Sequence, residues 1–152
     1  MELMVLADVA VQTLQLEADT AAVSSGPADR FQIYRALHFI GILALYLSIG
    51  GLFLHALNGG TKQTNENRKI VAITHGVAMF IVLLGGFGML ATFQRAGIAS
   101  SHDPWVMTKL GIWLLMGAMI AIPYRVPSLA RPLWLLLPIV GGFAGWVAQM
   151  KF

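Results

Sequence analysis

Four long apolar runs dominate the chain, and short polar segments separate them. The runs cover approximately residues 36–57, 70–93, 105–122 and 133–150. A helix rises about 1.5 Å per residue, so each run is long enough to cross a hydrocarbon core of about 30 Å, although the last two are near the short limit. The pattern therefore predicts four membrane-spanning helices that are joined by short loops.

Residues 1–30 precede the first run and have a different character. Their apolar stretch is interrupted by Asp8 and Gln12, and it lacks the basic start of a secretory signal. A Ser-Ser-Gly-Pro segment at residues 24–27 then breaks the pattern. We predict a short helix here that lies on the membrane surface or docks on a partner, with an unstructured tail as the alternative.

Composition supports the membrane interpretation. Hydrophobic residues make up 57% of the 152 positions and charged residues only 11%, whereas a soluble domain carries about 25% charged residues. The chain has no cysteine, which excludes disulfides, thiolate metal sites and cysteine nucleophiles. The predicted fold class is all-α, an integral membrane four-helix bundle over residues 31–152 with an N-terminal extramembrane tail, and its main partner is the lipid bilayer.

The net charge of +3 does not point to a nucleic-acid partner, because the basic residues lie in loops and at the ends of spans, where membrane proteins normally carry them. They are shared equally between the two predicted sides of the membrane. One side holds Lys62, Arg68, Lys69, Arg125 and Arg131, and the other holds Arg30, Arg35, Arg95, Lys109 and Lys151. Glu66 is the only acidic residue on the first side. We therefore expect a bacterial inner-membrane protein with both termini outside the cytoplasm.

Polar side chains within the predicted spans are the candidates for chemistry, because they are costly in lipid. His38 and Lys109 lie toward the tail side of spans 1 and 3, and His55 and His75 lie toward the other side of spans 1 and 2. His55 and His75 could bind the iron of a b-type haem from two helices, since histidine is a common axial ligand. In the other pair, His38 could bind the iron and Lys109 could pair with a propionate. The alternative is that all these residues lie near the membrane interfaces, where a lysine side chain can extend to water. The middle of the membrane would then contain only apolar residues, which argues against an ion pathway.

Glycine and methionine patterns add two further interpretations. Gly85 and Gly86 give span 2 a patch without side chains, and Gly141 and Gly145 form a GxxxG face on span 4. Small residues let helices approach closely in lipid, so these faces predict packing within the bundle, contact with partner subunits or a homo-oligomer. The methionines of spans 2 and 3 could bind Cu(I) through their thioethers, with ordinary packing as the alternative. They are Met79, Met89, Met116 and Met119.

The arrangement of motifs over the spans resembles that of a known family. Ala36-Leu37-His38 opens the first span, Leu54-His55 lies near its end, and Trp105 precedes Lys109-Leu110 at the start of the third span. This layout is similar to the HemJ-type protoporphyrinogen oxidases and, more loosely, to CopD-like and SirB-like four-span proteins. The resemblance implies that His38 is a ligand of b haem and that Lys109 is needed for activity.

Two classes of function follow from the sequence. The first is a non-catalytic accessory subunit or interaction module of a larger membrane assembly, which is suggested by the tail and the glycine faces. The alternative is a tetrapyrrole-binding redox protein, potentially an enzyme like the protoporphyrinogen oxidases, with His38 as ligand and Lys109 as anion partner.

Overall fold

The computed structural model describes residues 9–17 and 27–150, and all regular elements in these ranges are helical. The all-α prediction is confirmed. The elements are α1 (9–17), α2 (Pro27–Leu57), α3 (Arg68–Arg95), α4 (Pro104–Ala118), α5 (Ile122–Arg125), a 3-10 turn (Pro127–Leu129) and α6 (Ala130–Met150).

Three helical segments within the described residues are long and apolar enough to cross a membrane, namely Asp29–Leu57, Arg68–Arg95 and Pro127–Met150. Helix α2 begins at Pro27, which is a favourable first helical residue because its missing N–H would be unpaired there anyway. The helix thus starts inside the segment that was predicted as tail. Its 31 residues extend over about 46 Å, which is longer than a hydrocarbon core.

The third apolar run does not form one continuous helix. Helix α4 ends at Ala118 after 15 residues. Two hydrogen bonds that span three residues follow, from the Met119 N–H to the Met116 carbonyl (3.2 Å) and from the Ala121 N–H to the Ala118 carbonyl (3.1 Å). Pro123 explains the end of the helix, because it has no N–H to donate to the carbonyl four residues earlier and its ring clashes with that carbonyl. The prediction of a helix through residue 122 is wrong at its C-terminal end.

Helices α2 and α3 form an antiparallel hairpin that contains most of the interhelical contact. Glycines allow this close approach. A Cβ atom on Gly41 would lie 2.9 Å from the backbone nitrogen of Val82, and one on Gly85 would lie 2.7 Å from the carbonyl oxygen of Tyr34. Gly88 faces the Tyr34 ring. The two backbones therefore touch where a side chain would have kept them apart.

Helix α6 packs on α2 through one aromatic side chain. The Tyr46 hydroxyl donates to the Leu137 carbonyl at 2.9 Å and lies against Gly141. Nearby, Gly50 faces the Trp134 ring at 3.7 Å. A phenol needs a hydrogen-bond partner when it is buried in an apolar bundle, and the α6 carbonyl next to Pro138 provides one.

The core consists of two apolar clusters. The larger one joins α2, α3, α6 and the end of α4, and it is built from Leu45, Ile49, Phe53, Ala78, Met116, Met119 and Leu137. The smaller one lies at the end where α3 finishes and α4 starts, and it is built from Leu90, Trp105, Val106 and Val147. The rings of Phe31 and Phe93 meet at that same end with a centroid distance of 5.4 Å.

Part of the predicted tail helix is present as α1. All side chains of residues 9–17 are exposed, and the Thr13 hydroxyl lies within hydrogen-bond distance of the Val9 carbonyl (3.0 Å) and the Ala10 carbonyl (2.9 Å). Its docking on a membrane surface or a partner remains a prediction. The rest of that tail, residues 1–8 and 18–26, lies outside the described residues.

We expect Gly85→Ala to destabilise the fold by about 1–3 kcal/mol, because the added methyl has to displace backbone atoms of α2. The control is Gly76→Ala on the same helix, where a Cβ would meet none of the described atoms within 4 Å. Unfolding in mixed micelles of mild detergent and SDS measures both variants. Equal midpoints for the two would contradict a close contact at Gly85.

Candidate functional site

His38 is held by a direct bond between α2 and α3. Its Nδ1 lies 2.7 Å from the Val82 carbonyl oxygen. A carbonyl can only accept, so Nδ1 carries the proton and donates it. In the neutral imidazole Nε2 then keeps its lone pair. The bond therefore fixes both the orientation of the ring and the nitrogen that is available as a ligand.

The bare surface of α3 makes room for this ring. A Cβ on Gly86 would lie 3.5 Å from Cε1 and 3.6 Å from Nδ1 of His38, while a Cβ on Gly85 would lie 2.8 Å from Cβ of the same histidine. The predicted packing glycines of span 2 thus lie directly against the candidate ligand. A larger residue at position 85 would displace His38 from the Val82 carbonyl.

Lys109 lies on α4 at the same end of the bundle. Its ammonium is 4.9 Å from the centroid of the Trp105 ring, and it is close enough to His38 for its charge to act on the imidazole. The Trp105 N–H in turn donates to Asp103 at 3.3 Å, and Asp103 also accepts the Ser100 N–H at 2.8 Å. The structure therefore places both candidates of the first pair at the same end of the bundle, and Trp105 at the start of α4 contacts the lysine.

His38 lies deeper than its sequence position indicates. His38 lies directly opposite Gly85 of α3. Gly85 is ten residues before Arg95, the last residue of α3, so the distance from Gly85 to the helix end is about 15 Å along the axis. The apolar run begins at residue 36, only two residues before His38, whereas helix α2 already begins at Pro27. His38 thus lies well inside the helical hairpin, while its depth in a membrane stays a prediction.

The second pair, His55 and His75, is not brought together. His75 is level with Ser48, with 3.3 Å between Nδ1 and Oγ, and His55 lies seven residues farther along α2, or about 10 Å. The Nε2–H of His55 donates to the Thr61 carbonyl in the following loop at 3.0 Å. His55 is thus bonded to its own loop, and the two histidines lie at different levels of the hairpin.

His75 is buried in the core and is partly satisfied. The Ser48 hydroxyl donates to the Leu45 carbonyl at 2.8 Å, so its oxygen is free to accept the Nδ1–H of His75. Nε2 of His75 is enclosed and has no hydrogen-bond partner among the described residues. The Gly117 backbone acts on the ring, but it does not form a hydrogen bond of normal geometry with Nε2.

The glycines that were predicted on span 4 have different surroundings. Gly141 is covered by the Tyr46 hydroxyl, whereas a Cβ on Gly145 would meet none of the described atoms within 4 Å. Gly142, next to Gly141, is also open. The GxxxG face is therefore divided, with one glycine inside the bundle and one on its surface.

Three participants in these contacts were not predicted from the sequence. The Val82 and Gly117 backbones have no sequence signature, because their side chains play no part. Ser48 was detectable, since it is a polar residue within an apolar run. Within the described part of the chain, no three His, Asp or Glu residues cluster as a metal site. Comparison with family models, curated proteins and solved structures finds no match for this chain.

We expect His38 and His55 to be opposite tautomers when both are neutral, because one donates through Nδ1 and the other through Nε2. Nitrogen-15 NMR of histidine-labelled protein at mildly alkaline pH distinguishes protonated from unprotonated ring nitrogens. His38 is expected to have the protonated signal at Nδ1 and His55 at Nε2. The same tautomer at both positions would contradict one of the two hydrogen bonds.

Proposed function

We propose that this chain is a four-span protein of a bacterial inner membrane that binds b-type haem through Nε2 of His38. The observation that carries the proposal is the hydrogen bond from Nδ1 of His38 to the Val82 carbonyl, 2.7 Å long. Histidines that bind metals usually donate their other ring N–H to a carbonyl or carboxylate, which fixes the tautomer and makes the ligating nitrogen more basic. His38 has this arrangement in a helix pair that glycines hold rigidly.

Lys109 supports the same proposal as a charge partner. A tetrapyrrole brings two propionates, and an ammonium near the ligand attracts them more strongly than it would in water, because the surroundings are apolar. Trp105 beside the ammonium restricts where that charge can move. Haem at this position would supply one-electron redox chemistry.

The proposed topology uses α4 as the remaining crossing. Its 15 residues cover only about 22 Å, so α4 has to be continued by the turn at residues 119–121 and by α5. A broken helix is tolerated at membrane depth where protein surrounds it, and Met116, Met119 and Pro123 are all buried. We place the loops at residues 58–67 and 126–129 in the cytoplasm, with both termini outside.

An absorption spectrum tests the haem proposal directly. Protein purified from haem-replete cells is expected to have a Soret band, and His38→Ala is expected to lose most of it. His55→Ala and His102→Ala are the controls, because His55 bonds to its own loop and His102 is exposed. A wild-type protein without a Soret band, or His38→Ala with unchanged haem, would refute the proposal.

Lys109→Met tests the charge partner separately. It keeps the length and apolar character of the side chain and removes only the ammonium. We expect a lower haem occupancy with an unchanged Soret position, because the axial ligand is still present. Pyridine haemochrome quantification measures the occupancy, and an occupancy equal to that of wild type would remove Lys109 from the site.

A second candidate function, an accessory subunit in a membrane assembly, is favoured by the open surface of α6. Gly142 and Gly145 have no described atoms over them, and the exposed rings of Phe143 and Trp146 stack beside them at 5.9 Å. Bare backbone on a lipid-facing helix suits close contact with another helix.

Gly145→Leu tests this second candidate, with Gly51→Leu on α2 as the control because that glycine is also open. Crosslinking in native membranes, followed by mass determination, is expected to give an adduct of the wild type and of the control that Gly145→Leu lacks. A chain that is monomeric and without adducts in all three forms would count against an association surface on α6.

A further inference from the structure

The lone pair of His75 Nε2 is an unexplained feature of the core. The residue is only 5% exposed, and Nε2 has no partner among the described residues. Buried polar atoms are nearly always bonded, so an exception calls for an unseen water, an ion or a functional role. Because Nδ1 is held by Ser48, the ring cannot easily rotate to satisfy Nε2 elsewhere.

Sulfur atoms are the other donors in this region. Met79 lies one turn after His75 on the same face of α3. Its methyl and sulfur lie 2.8 Å and 3.9 Å from the position that a Cβ on Gly117 would take, and the Gly117 backbone also acts on the His75 ring. Met116 and Met119, which flank this glycine in sequence, are 4% and 5% exposed and belong to the same core cluster.

We propose that His75 and these methionines form a site for one Cu(I) ion between α3 and the end of α4. A neutral imidazole and thioethers are soft donors that prefer Cu(I) over Mg, Ca or Mn, which select carboxylates and carbonyls. No carboxylate accompanies His75 in a metal cluster within the described residues. The ligands are Nε2 of His75 and the sulfur of Met79, with Met116 and Met119 completing the soft environment.

A buried water is the competing explanation, and it fits less well. An internal water typically makes about three hydrogen bonds. Here the Ser48 hydroxyl is already engaged with Leu45, so the polar atoms left for a water are Nε2 and the Gly117 backbone. The methionine sulfurs of the same core cluster are weak hydrogen-bond acceptors for a water molecule but good donors to a soft cation.

The site is separate from the proposed haem ligand. His75 is level with Ser48, ten residues from His38 along α2, which corresponds to about 15 Å. Copper binding can therefore fail or succeed independently of the haem, and the readouts below do not depend on a Soret band.

Silver(I), a diamagnetic and air-stable ion with the same ligand preference, is the probe. The full chain is labelled at the methionine methyl carbons, purified in mild detergent and titrated with Ag(I) while carbon-13 NMR is recorded. The methyl signals of Met79, Met116 and Met119 are expected to shift and saturate at one equivalent, while Met107, which is exposed, stays in place. Shifts of Met107 alone, or no saturable shift, would overturn the proposal.

Competition with a chromophoric Cu(I) chelator under anaerobic, reducing conditions then measures affinity. His75→Gln and Met79→Leu are each expected to weaken binding by more than about tenfold, since loss of even an outer-shell partner costs 10–100-fold. Met107→Leu is the matched control. Met79→Leu keeps the size of the side chain, so it still tests the site if His75→Gln fails to fold. Unchanged affinity in Met79→Leu, or a buried water with no metal uptake in any form, would refute the site.

Discussion

The close contact between α2 and α3 is the constraint on which the rest of the structure depends. In lipid, burial of apolar surface gives no drive to associate, so helices must gain stability from packing and from bonds between them. Gly41, Gly85 and Gly88 remove the side chains that would separate the two backbones. Only at this distance can the His38 ring reach the Val82 carbonyl and the His75 ring reach Ser48.

The same contact explains why two histidines are arranged alike. Each is on one helix of the hairpin and uses Nδ1 to bond the other helix, His38 from α2 to α3 and His75 from α3 to α2. Each bond fixes the orientation of its ring relative to the other helix. The charge of Lys109 acts on the first ring and the Gly117 backbone on the second, so α4 completes the surroundings of both.

The helical fold and the hydrophobic segments were predictable because they depend on composition over long windows. The early start of α2 at Pro27 and the end of α4 before Pro123 were missed, although proline is a sequence signal of both kinds of helix boundary. The sequence placed His38 and Lys109 toward the same end of the bundle, and their role as a pair stays a prediction. The levels of His55 and His75 were not predictable in this way, because the register of the hairpin, which places His75 opposite Ser48, is set by the glycine contacts.

The uneven distribution of contacts also determines how the bundle opens. The hairpin of α2 and α3 contains most of the interhelical contact, while α4 touches α3 and α6 more sparsely. Regions with few contacts open at lower free energy than the rest of a protein. Thermal fluctuation should therefore separate the short, interrupted α4 from the hairpin of α2 and α3 while that hairpin stays intact.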